Sequence, residues 1–254
     1  MKRSQLFLSS IGDDAAETAH AFGLALELAQ FCTAVNLDDE SFIRPSLDEC
    51  LAAAPCRVLH APFADLCPAA IDPLVRSATE LRLRQTVERA RTLGIRKIVV
   101  HAGFIPHVHF PEWFTAGSIG FWRDFLRGVP ADMTICLENV MEPTPEMLCE
   151  IVRTVDDPRL RLCLDLGHAN TEISDYPVMR WLADSAPLVS HLHVHNNCGG
   201  SDLHLPLFEG EIDYLPVFSA LADLAPNATV TLELRQSRES VEWLMKHQIF
   251  EDTL

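Results

Sequence analysis

The sequence predicts a single (β/α)₈ barrel over residues 1–254. Three observations predict it. Eight short apolar runs punctuate the 254 residues. Amphipathic stretches with helical spacing separate most of them. The third to eighth runs each carry His, Asp or Glu at or near their C-terminal end, as expected where the C-terminal ends of barrel strands surround one mouth. A chain of this length is enough for one large domain with a sizeable core.

The runs are justified in order. QLFLSSI (5–11) and LALELAQFC (24–32) are apolar and bounded by polar segments. CRVLH (56–60) is short and ends in His60. The stretch 72–93, DPLVRSATELRLRQTVERARTL, repeats Leu, Val and Ala at helical spacing, and Gly94 after it suits a C-terminal cap. RKIVVHAG (96–103) follows at once and carries His101. MTICLEN (133–139) carries Glu138, and Pro145 stands where the next helix should begin. RLCLDLGH (161–168) holds Asp165 and His168. LVSHLHVHN (188–196) holds His191, His193 and His195, and Asp213 marks the following helix start. ATVTLELR (228–235) closes the series with Glu233. Near-continuous apolarity suits strands buried on both faces. There is no linker, low-complexity segment or short repeat.

Composition narrows the function classes. Lys and Arg number 20 against 36 Asp and Glu, for a net charge of −16. A surface this acidic repels nucleic-acid phosphates. No stretch approaches the roughly 18 apolar residues of a membrane span. The N-terminal MKRSQLFLSSIGDDAAE lacks the long apolar core of a signal peptide. The eight cysteines form no C-x-x-C pair, and Cys136 and Cys163 lie inside apolar runs. They read as reduced thiols of a cytoplasmic protein.

The polar strand ends carry the chemistry. Any one such His or Glu is more often a hydrogen-bonded structural residue than a ligand. Six in register are another matter, because burying so many ionisable groups together is costly without a cation. Imidazoles and carboxylates suit Zn²⁺ or Mn²⁺. His191, His193 and His195 alternate, so they share one face of their strand. His107 and His109 form a lone H-x-H that reads as a surface pair.

The motifs LHAPFADL, VVHAGF, CLEN, LDLGHAN, HVHNNCGGSDLHLPLFEGEID and LELR resemble the xylose isomerase-like TIM barrel superfamily, which includes sugar phosphate isomerases, epimerases and endonuclease IV. The resemblance runs from the third strand to the eighth; the first two carry little of it. It implies a core metal on Glu138, Asp165, His193 and Glu233. By analogy with the three-zinc site of endonuclease IV it places further ligands on His60, His101, His168, Asp202 and His204, for one to three ions in all. Family spacing selects His193 from the trio and leaves His191 deeper and His195 at the rim. Asn196 stands where relatives often carry Asp, which suggests a hydrogen-bonding role in the loop.

Two chemistries follow from the resemblance. In a metal-dependent isomerase or epimerase of a small sugar or sugar phosphate, Glu138 and Glu233 act as acid and base. His168 then polarises a substrate oxygen, while Arg235, His195 and Asn196 bind the substrate. Arg235 would either receive an anionic group or pair with a nearby carboxylate. The alternative is a multi-metal phosphoesterase of a small molecule. DNA repair is disfavoured because the mouth loops are poor in Lys and Arg. A non-catalytic scaffold leaves the ligand set unexplained. The partner expected is therefore a small molecule, with no nucleic acid and no membrane; a homo-oligomer is compatible with this reading.

Overall fold

The computed structural model describes residues 1–250. Eight parallel strands close into a barrel in sequence order, and β1 pairs with β8. The strands are β1 Leu6–Ser9, β2 Ala25–Leu28, β3 Arg57–His60, β4 Lys97–His101, β5 Thr134–Glu138, β6 Leu160–Asp165, β7 Val189–Val194 and β8 Thr229–Leu232. The helices are α1 Ala15–Phe22, α2 Arg44–Ala53, α3 Pro73–Thr92, α4 Pro111–Leu126, α5 Glu146–Val155, α6 Val178–Ser185, α7 Tyr214–Leu224 and α8 Arg238–Lys246. Seven strands fall inside the apolar runs, and β6 begins one residue ahead of its run, at Leu160.

Helix boundaries follow the capping chemistry. Asp72 accepts from the Leu74 and Val75 amides ahead of Pro73, which is pre-set for the first turn. Gly94 adopts φ +70° just past α3, where a side chain would be strained. Asp213 caps α7 by accepting from the Leu215 amide, and Pro145 precedes α5.

Strand alternation sorts the side chains. Leu6, Leu8, Leu26, Leu28, Ile98, Leu137, Leu164 and Leu192 belong to the large cluster that includes the helices' buried faces. Phe7, Ala25, Val58, Val99, Cys136 and Cys163 form a separate apolar cluster of alternate strand residues. The next residues of that alternation are Ser9, Glu27, His60, His101, Glu138 and Asp165, at the C-terminal ends. On β7 the same pattern is polar throughout, with His191 and His193. The barrel therefore has an apolar floor on β1–β6 and an ionisable upper layer.

All eight cysteines are free, with Cys136 and Cys163 buried. Among the described residues, no helix is long and apolar enough to cross a membrane.

Candidate metal centre

Four carboxylates and the strand-end histidines converge above the apolar floor. His60 Nε2 lies 3.3 Å and His101 Nε2 3.4 Å from the same Glu138 oxygen, Oε2. That oxygen is buried and accepts no hydrogen bond. On the other side, His168 Nε2 is 3.4 Å and His204 Nε2 2.9 Å from Asp202 Oδ2. His195 Nε2 is 3.2 Å from Asp165, and its buried Nδ1 makes no hydrogen bond and lies 3.5 Å from Asp202 Oδ1.

The tautomers bear on what such contacts mean. His60 Nδ1–H donates to the Ala61 carbonyl at 2.9 Å, His168 Nδ1–H to Asn139 at 2.8 Å and His204 Nδ1–H to Glu233 at 2.7 Å. In the neutral ring each Nε2 is then a bare lone pair aimed at carboxylate oxygen. Lone pair against lone pair is repulsive, so a proton or a metal cation must lie between. Anchoring Nδ1–H on a carbonyl is also how proteins orient imidazole ligands. The groups His60–His101–Glu138, Asp165–His168–His195 and His195–His204–Glu233 each bring one ligand atom per residue within 4.8 Å of the others. With the orphaned Glu138 oxygen and His195 nitrogen, this donor set fits divalent metal.

The electrostatics agree. Burial would raise the Glu138 carboxyl, but His193 and His101 hold it well below the usual range. Burial would likewise raise Asp202, and His168 and His204 hold it well below. His204 is pulled down by burial yet raised to about 9, chiefly by its bond to Asp202. Burial lowers His101 to about 4, which leaves it neutral and free to ligate.

His193 differs from these. Nε2 meets Glu27 Oε1 at 3.0 Å and Nδ1 meets Glu138 Oε1 at 3.0 Å, so both ring nitrogens are engaged by carboxylates. Burial would push the imidazole down, but neighbouring carboxylates hold it well above its ordinary value. Cys163 beside it is held as a thiol by burial and supplies no charge. Glu27 on β2 also accepts from Thr231 Oγ1 at 2.6 Å and from His191 Nε2 at 2.9 Å.

Expected placements of His195, Asn196 and His109 are corrected. His195 is not at the rim: it is fully buried and stacked on His204 with ring centroids 4.0 Å apart. Gly167 makes room for it, since a Cβ there would lie 1.9 Å from His195 Cε1. Asn196 has the hydrogen-bonding loop role expected of it, and its amide is not turned to the mouth as substrate binding would need. Its Nδ2 donates to Leu207 and Ile212 carbonyls, and its Oδ1 accepts from the Asn197 and Ile212 amides. Arg235 is exposed and makes no ion pair with a carboxylate among the described residues. Of the H-x-H pair, His107 is exposed, whereas His109 is half-buried, accepts from the Ile105 amide at 3.0 Å and packs on Phe104 and Phe114.

Glu27 escaped the sequence reading, although its signal was present: one acid at an inward alternate position of an apolar strand requires a buried partner. Asn139, on the LEN motif, also matters. Its side chain clamps Asp165 through the Asp165 amide at 2.8 Å and carbonyl at 2.9 Å.

Glu142, beyond β5, titrates separately. Burial raises its carboxyl to about 7, although the Val140 and Met141 amides donate to it. A raised folded value favours the protonated form. Its contribution is complete below the unfolded value of about 4.5 and is lost as pH rises through about 7. Glu142→Gln should therefore raise the melting temperature at pH 8 and leave it nearly unchanged at pH 5, with a gain on the order of 1–3 kcal/mol at the higher pH. Calorimetric melting at both values checks this, and an equal shift at both would contradict it.

The family model described as xylose isomerase-like TIM barrel matches residues 14–247. The chain belongs to the xylose isomerase-like TIM barrel family. Within the curated proteins, it is 31% identical over 195 residues to the uncharacterized protein MJ1311 of Methanocaldococcus jannaschii, covering 73% of this chain and 66% of that protein. Among solved structures, the family fold recurs in the TTHB071 protein of Thermus thermophilus soaked with ZnCl2. That likeness has 26% identity and a TM-score of 0.73, over 97% of this chain and 98% of that one. A D-tagatose 3-epimerase-like protein shares the fold at 24% identity and a TM-score of 0.75, covering 97% and 96%.

Proposed function

We propose that this family member is a divalent-metal-dependent isomerase or epimerase of a small sugar. The observation that carries the reading is the pair Glu138 and Glu233, whose oxygens approach one point from different strands. His193 Nδ1 lies 3.0 Å from Glu138 Oε1 and 3.4 Å from Glu233 Oε2. Membership of the xylose isomerase-like family supports the same reaction class.

Glu138, Asp165, His193 and Glu233 would hold the core ion, Zn²⁺ or Mn²⁺. His193 Nδ1 lies 3.0 Å from Glu138, 3.4 Å from Glu233 and 3.7 Å from Asp165, and its Nε2 is anchored on Glu27; His195 stands beside this set. The metal supplies Lewis acidity to adjacent oxygens of a hydroxy-carbonyl compound. One glutamate removes the proton from the carbon between those oxygens and the other returns it. His168, anchored on the Asn139 carbonyl, presents Nε2 to a substrate oxygen.

A second reading, a multi-metal phosphoesterase of a small molecule, is favoured by one observation. His60, His101, His168, Asp202 and His204 form two further groups able to ligate around the core. The deciding experiment incubates zinc- or manganese-loaded protein with a panel of ketoses and aldoses in D₂O, and with phosphate monoesters in parallel. Deuterium entering the carbon next to the carbonyl is the expected result. Phosphate release without deuterium incorporation would replace this reading with the second.

A further inference from the structure

The mouth is formed by the eight segments that join each strand to the next helix. Of the chain's 20 Lys and Arg, only Arg235 lies in them, in the short β8–α8 segment. Seven of the eight segments carry at least one carboxylate; the β4–α4 segment carries none. Apart from the histidines and the metal they would hold, a phosphate group entering this mouth would meet acid-bearing segments and one exposed side-chain cation.

On the same face of the barrel lies a mainly apolar cavity of about 790 Å³, with His107, His109 and Glu172 also on its wall. Phe104, Ile105, Val108, Phe110, Met141 and Ile173 line it, drawn from the segments after β4, β5 and β6. Those strands end in His101, Glu138 and Asp165. Met141 follows Glu138 by three residues, and Ile173 follows His168 by five. Ile105, Val108 and Phe110 are 46%, 65% and 69% exposed. Apolar side chains are thus left to water on the same face as a polar reaction centre, in a cavity large enough for a small organic group.

We propose that the substrate is an uncharged aldose or ketose bearing an apolar alkyl or aryl substituent, and not a sugar phosphate. This rests on the isomerase reading above. The hydroxy-carbonyl end lies over Glu138 and Glu233, and the apolar substituent fills the cavity above β4–β6. The uncharged requirement comes from the acid-bearing segments of the mouth, and the apolar substituent from the cavity lining.

Three hydroxamates test this, because each offers two adjacent oxygens to a metal while the tail varies. Acetohydroxamate, octanohydroxamate and phosphonoacetohydroxamate are titrated calorimetrically into the zinc-loaded protein. Octanohydroxamate should bind at least about tenfold tighter than acetohydroxamate, and phosphonoacetohydroxamate more weakly than either. In the Val108→Asp protein the ratio of octano- to acetohydroxamate affinity should fall to about one. Equal binding of the first two, or tightest binding of the phosphonate, overturns the inference and leaves the isomerase reading standing. Failure of all three to bind overturns both.

Discussion

Asp165→Ala protein is expected to fold and to purify without tightly held metal. Asp165 is fully buried, with Oδ2 3.2 Å from His195 Nε2 and 3.7 Å from both His168 Nδ1 and His193 Nδ1. It also accepts from the His168 amide at 2.7 Å, which holds the turn that delivers His168. The substitution therefore removes a ligand and loosens a second one. Loss of an orienting partner alone costs about 10–100-fold in metal affinity, so loss of the ligand itself should cost roughly a thousandfold or more. The fold should survive because the barrel floor and the strand–helix core do not involve this carboxylate. Its removal also relieves repulsion with Glu138 and Glu233, which partly offsets the lost hydrogen bonds. His204→Ala provides the contrast. His204 meets Asp202 at 2.9 Å at the outer side of the cluster, so its loss should lower the metal count per chain and spare the core ion. Elemental analysis of both proteins at neutral pH decides. Wild-type metal content in Asp165→Ala would remove Asp165 from the ligand set.

The barrel was legible because its two signals are local. Apolar runs of strand length and the polar group ending each run can be read without knowing what touches what. The same holds for the caps at Asp72, Gly94 and Asp213, where one residue type satisfies the backbone. The arrangement within the mouth was less legible. Strand alternation says that His191, His193 and His195 share a face, but not how high each lies or what stands opposite. That depends on the register of β7 with β6 and β8, where Cys163 pairs with His191 and Asp165 with His193, and on Gly167 yielding space to His195. Asn196 looked like a site residue from its motif, and only the fold of the 195–213 segment shows its amide spent on that segment's own backbone. Glu27 was hidden for a different reason. A single acid in LALEL has no near neighbour in sequence to suggest a role, and its partners are 164 and 204 positions away, at His191 and Thr231.

Glu27→Ala should cost the largest stability of any single change at the inner layer. The carboxylate accepts from His193, His191 and Thr231, all fully buried. Without it, His193 retains its charge with one fewer counter-ion, and two further donors lose their acceptor. Removing one member of a buried charge pair costs about 3–5 kcal/mol, which for a chain of this size lowers the melting temperature by about 10 °C. Glu27→Gln separates charge from hydrogen bonding. Burial would raise Glu27, yet His193 and His191 hold it well below its ordinary 4.5, so its contribution is complete above that value and lost as pH falls through the depressed folded value. His193 is raised well above its ordinary 6.5, so its contribution is complete below that value and lost as pH rises through the raised one. Both are complete between about pH 4.5 and 6.5. The stability deficit of Glu27→Gln, measured by urea denaturation of metal-free protein across pH, should therefore be greatest in that window and shrink on either side. A deficit that is flat with pH would mean that Glu27 acts through neutral hydrogen bonds alone, and a deficit below about 1 kcal/mol throughout would rule out a charged pair with His193.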